Sequence, residues 1–74
     1  MDFVILLDRK PQFAVEVKLS EEALDLGLKY FLERVGIPHA FQISLKGEKD
    51  YEVVLPNKVR VRILPAAKFL GALP

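Results

Sequence analysis

The alternation of hydrophobic and polar residues divides this chain into short segments, most of them strand-like. Residues 3–7 (FVILL) form a continuous apolar run, as expected of a buried strand. Asp8-Arg9-Lys10-Pro11 reads as a turn. Residues 12–19 then alternate. Phe13, Val15, Val17 and Leu19 share one face, and Glu16 and Lys18 the other, because successive strand side chains point to opposite sides. The two segments together predict a β-hairpin.

A helix is predicted next, over residues 21–35. Ser20 suits the N-cap, and Glu21 and Glu22 follow where the helix dipole favours acids. Leu24, Leu28, Phe31, Leu32 and Val35 recur at helical spacing and make one apolar stripe. Gly36 fits the position just past the helix, and Pro38 forbids continuation. Asp25 and Lys29 add an i,i+4 pair. Gly27 is costly inside a helix and is read as permitting close approach to a sheet.

Three further strands are predicted at 39–45, 51–55 and 59–64, separated by polar turns at 46–50 and 56–58. Pro65 can open a second helix over 66–73. The order is β-β-α-β-β-β-α. The strand–helix–strand unit is long enough for a right-handed parallel crossover, while the flanking hairpins are antiparallel. A small mixed sheet carrying helices follows, α+β in class and α/β-like in its crossover.

Composition narrows this to one domain, residues 1–74, 51% hydrophobic and 28% charged. A domain of this size buries only ~60% of the surface its unfolded chain exposes. With no cysteine there is no disulfide and no thiolate metal site, so packing or self-association must stabilise it. No apolar run reaches the roughly 20 residues of a membrane span, and the N-terminus lacks the basic start of a secretory signal. A cytoplasmic location without membrane contact is expected. Net charge is +1, but residues 56–74 hold Lys58, Arg60, Arg62 and Lys68 and no acid. Such a basic end can attract phosphate.

The candidate chemistry lies at Glu16-Val17-Lys18. A carboxylate and an ammonium two residues apart on a strand face, joined by a second acid, make up a metal-dependent phosphodiester-cleavage site. Asp2 supplies that acid if the hairpin register allows it. A three-residue loop at Arg9-Lys10-Pro11 pairs Asp8 with Gln12, sets Val4 opposite Glu16 and Asp2 opposite Lys18, and gathers all three on one face. A two-residue loop sends Asp2 to the other side. Paired carboxylates are relieved by a hard cation such as Mg²⁺, which lowers the pKa of a bound water, and Lys18 would balance developing charge. The competing reading is an ordinary polar strand face, because such pairs also arise for solubility.

Other residues carry less. Arg60 and Arg62 share a strand face and are candidates for phosphate contact, against the alternative of a solvated or edge-protecting face. His39 is the sole histidine and reads as a surface residue. Tyr30, Phe31 and Phe41 read as core or rim aromatics.

The segment Phe13-Ala14-Val15-Glu16-Val17-Lys18-Leu19-Ser20 resembles the core motif of the PD-(D/E)XK nuclease superfamily. The "DFV" start, "FAVEVK", "YFLERVGIPHAFQI" and the ending "VRILPAAKFLGALP" resemble, more narrowly, the C-terminal nuclease-like domain of prokaryotic AAA-type ATPases of poorly known function. The resemblance implies a restriction-endonuclease-like core, with Asp2 and Glu16 as metal-binding acids, Lys18 as catalytic lysine and Mg²⁺ as cofactor. It also implies that the chain begins at the second strand of an α-β-β-β-α-β core, without the ATPase. There is no Walker motif, so no nucleotide is expected. Two functions follow. One is a non-catalytic or vestigial module that self-associates as a homo-oligomer or docks to an ATPase-type partner protein. The other is a metal-dependent nuclease acting on nucleic acid.

Overall fold

A computed structural model describes residues 3–7 and 10–72, with side chains from residue 13 to 71. Five strands form one sheet, in the order β1-β2-β3-β5-β4. They are β1 (Phe3–Leu7), β2 (Lys10–Lys18), β3 (His39–Ser44), β4 (Tyr51–Val54) and β5 (Arg60–Pro65). Helix α1 (Leu26–Leu32) lies between β2 and β3 in the chain, and α2 (Ala66–Ala72) follows β5 directly. β1 runs antiparallel to β2, β2 and β3 are parallel, β3 and β5 are parallel, and β4 is antiparallel to β5. The domain is a small α+β unit with a mixed sheet and two helices.

The period-2 pattern sorts the sheet into two covered faces. On one, Ala14, Ala40, Val61 and Ile63 pack with Leu28 and Leu32 of α1, closed by Ile37, Leu55 and Val59. Ala14 and Ala40 are register partners, and their small side chains leave room for the two leucines. Each fully buried leucine contributes roughly 1.5–3 kcal/mol relative to exposure. On the other face, Val15, Ile43 and Leu64 pack with Phe13, Val17, Phe41, Ala66 and Phe69. Phe41 meets Phe13 edge-on at 5.4 Å and Phe69 at 5.2 Å, the geometry favoured by ring quadrupoles. Phe69 thus anchors the apolar C-terminal segment, while Leu70 remains exposed.

The first helix corrects the sequence reading. It spans Leu26–Leu32 rather than 21–35, and its N-cap is Asp25 rather than Ser20. Asp25 Oδ2 accepts from Leu28 N at 2.9 Å. Residues 19–25 are not helical, because the buried Gln42 side chain fastens that segment: its Nε2 donates to Ala23 O at 2.6 Å and its Oε1 accepts from Asp25 N at 2.7 Å. Gly27 lies by the cap rather than against the sheet. A Cβ there would stand 3.1 Å from Asp25 Oδ2. The helix closes at Glu33, three residues ahead of Gly36.

The hairpin register also differs. Leu7 pairs with Lys10 and Leu6 with Pro11, so Lys10 and Pro11 belong to β2 rather than to a turn. A bulge between Ile5 and Leu6 then shifts the pairing by one, and Val4 opposes Ala14, not Glu16. With the extra residue on β2, each residue of Phe3–Ile5 pairs two residues earlier on β2 than a three-residue loop would set. Asp2 lies outside the described residues.

Candidate functional site

Glu16 and Lys18 stand at the carboxyl end of β2, on the α1 face, beside Gln42 and Ser44 of the parallel neighbour β3. The carboxyl ends of parallel strands are where open α/β sheets place ligands. Glu16 is 5% exposed and Lys18 reaches outward past it. The Lys18 ammonium lies 2.7 Å from Asp25 Oδ1, 3.8 Å from Glu16 Oε1 and 3.9 Å from Glu21 Oε2. Its closest partner is therefore Asp25. The hydrogen bond from Lys18 holds the Asp25 carboxyl below its usual range, aided by the cap bond from Leu28. The same bond raises the Lys18 ammonium.

The structure therefore brings Glu16 and Lys18 together, as read from the strand, and adds Asp25. The segment 19–25 delivers Asp25 because Gln42 grips it at Ala23 and Asp25. Sequence reading missed Gln42, although it interrupts an apolar strand at the position facing Glu16. It also placed Asp25 in a helical i,i+4 pair. Glu22, read from the sequence as a first-turn acid, lies outside α1 and meets the turn after β3 instead. Its Oε2 accepts from Glu48 N at 2.7 Å and Lys49 N at 2.6 Å, and its backbone carbonyl accepts from the Tyr51 hydroxyl. The cradling amides lower its pKa.

The described donor set is a tied ammonium–carboxylate cluster rather than an open oxygen cage. Lys18 supplies the cation among Glu16, Glu21 and Asp25, and no three His, Asp or Glu side chains gather as metal ligands among the described residues.

Arg60 and Arg62 lie on the α2 face of β5, opposite His39 and Phe41. Arg62 forks onto Asp50, with Nε 2.9 Å from Oδ1 and Nη2 2.8 Å from Oδ2, and Lys68 Nζ reaches the same carboxylate at 3.3 Å. This pushes Asp50 down to about 2, the Arg62 hydrogen bonds being the main cause. Arg60 is exposed. The two arginines thus differ: Arg62 fastens the β4–β5 hairpin to the 46–50 turn, and Arg60 faces solvent.

Comparison with protein-family models, curated proteins and solved structures returns no match for this chain. No helix among the described residues is long and apolar enough to cross a membrane.

Proposed function

We propose that this chain is a non-catalytic interaction module on a restriction-endonuclease-like sheet, pairing with a second copy of itself through β1. The observation that carries the reading is the sheet order. β1 is an edge strand, hydrogen-bonded to β2 alone among the described strands, and its five residues, FVILL, include no charge. Natural edges are usually blunted by charge, proline or covering structure, and an apolar edge is a template for another strand. Antiparallel β1–β1 pairing is self-complementary, as a two-fold interface requires. The polar motif supports the same reading, because Lys18 is engaged by Asp25 and that carboxylate also caps α1.

Sedimentation over a range of concentration, with hydrogen exchange of the β1 amides, tests this. Dimerisation with concentration-dependent protection of alternate β1 amides is the expected result. A monomer at millimolar concentration whose β1 amides exchange freely would sink it, and an ATPase-type partner would then be the occupant to seek.

A nuclease reading retains one specific observation: Glu16 and Lys18 share a face at the carboxyl end of a parallel strand, 3.8 Å apart. Its test is cleavage of plasmid and single-stranded DNA with Mg²⁺ or Mn²⁺. Activity lost in Glu16→Ala and Lys18→Ala would establish it, and no cleavage by the native chain would dismiss it.

A further inference from the structure

The turn between β3 and β4 aims two successive backbone N–H groups at a single anionic oxygen. Glu48 N and Lys49 N donate to Glu22 Oε2 at 2.7 and 2.6 Å. The turn is braced beneath, where Gly47 N donates to the fully buried Ser44 Oγ at 2.8 Å. Glycine leaves room at its centre: a Cβ on Gly47 would overlap Ser44 Oγ and stand 2.8 Å from both Cγ and Oε2 of Glu22. Successive turn amides converging on one oxygen make an anion-binding concavity. Two exposed lysines, Lys46 and Lys49, belong to the same turn. A carboxylate brings one negative charge to this place. A phosphate group brings up to two, with three strong acceptor oxygens.

We propose that residues 44–49 form a phosphate-binding site held closed by Glu22. A phosphate oxygen takes the position of Glu22 Oε2 and accepts from the Glu48 and Lys49 amides. Opening requires only that the Glu22 side chain swing away, because Gln42 keeps the segment fastened at Ala23 and Asp25. The site uses no residue of β1 and does not depend on self-association.

Amide chemical shifts during titration with inorganic phosphate, at constant ionic strength set by chloride, provide the test. The proteins are the native chain, Glu22→Gln and Glu22→Ala. Glu22→Gln keeps an uncharged acceptor in the cradle, and unchanged β3 and β5 amides report that each variant is folded. In both variants the Glu48 and Lys49 amides should shift and saturate at phosphate concentrations about ten-fold or more below those the native chain needs, since an intramolecular occupant competes at roughly millimolar effective concentration. A short oligothymidylate in a parallel titration distinguishes phosphate of a polynucleotide from free phosphate. Saturation by either supports the site, and the tighter of the two names the source. The proposal is overturned if these amides stay still in both variants, respond equally to chloride, or respond at the same phosphate concentration with and without Glu22.

Discussion

Asp25 joins strand to helix with a single carboxylate: Oδ1 lies 2.7 Å from the Lys18 ammonium, and Oδ2 accepts from Leu28 N at the start of α1. One side chain thus ties the end of β2 to the first turn of the helix that crosses the sheet. Asp25→Ala should lose about 1 kcal/mol from the cap alone, and Asp25→Asn, which keeps a capping oxygen, should lose less. Urea denaturation of the two variants checks the order. Equal loss in both would show that the ion pair with Lys18, not the cap, dominates.

Gln42 has the larger structural role. It is fully buried and holds two backbone groups of the 19–25 segment. Gln42→Ala leaves both groups without that partner and should cost about 2–4 kcal/mol. Gln42→Glu has no donor for Ala23 O when ionised and sets a second carboxylate beside Glu16. Its deficit should shrink as pH falls and the new carboxyl becomes protonated. Melting curves between pH 4 and 8, read as about one pH unit per step, report this trend.

Gly47→Ala must displace both Ser44 Oγ and the Glu22 side chain. A loss of about 1–3 kcal/mol is expected. Adding Ser44→Ala should recover part of it by removing the overlapping oxygen. A double-variant cycle in denaturant measures the recovery, and strict additivity would place the clash elsewhere.

Lys58 is the one non-glycine residue with positive φ among the described residues, at 71°, in the turn closed by Lys58 N to Leu55 O at 2.8 Å. That left-handed conformation costs a lysine energy that glycine or asparagine largely avoids. Lys58→Gly and Lys58→Asn should therefore raise stability by roughly 0.5–1 kcal/mol, visible as a higher denaturant midpoint with unchanged slope.

Acid should destabilise the fold in a defined direction. Asp50 falls from 3.8 to about 2 under Arg62 and Lys68, and Asp25 and Glu22 are also lowered. A carboxyl with a depressed folded pKa binds fewer protons folded than unfolded, so its contribution is complete above the unfolded value and lost as pH falls through the folded one. The Asp50 contribution should disappear between about pH 4 and pH 2. Asp50→Asn should flatten that part of the stability profile while leaving the region above pH 5 parallel to the native curve.

Strands were more legible than helix limits, for identifiable reasons. Alternation along 12–19 put Glu16 and Lys18 on one face and Phe13, Val15 and Val17 on the other, which is how β2 packs. Leu28 and Leu32 were recognisable as the buried stripe of α1. Ser20, Glu21 and Glu22 had good local helix-start chemistry, yet the amides of Glu48 and Lys49 and the side chain of Gln42 hold that segment outside the helix. The bulge at Ile5/Leu6 left no mark in an all-apolar strand, so the two-residue displacement of Val4 could not be read.

By itself the sequence determined what is local: which positions repeat every two or every three to four residues, and hence which side chains share a face. Tertiary structure decided what those side chains touch. Gln42 finds Ala23 across 19 residues and Lys49 finds Glu22 across 27, and such partners depend on strand register and sheet order. Periodicity constrains neighbours along the chain, whereas hydrogen-bond partners are set by where the folded sheet and its loops bring distant backbone together.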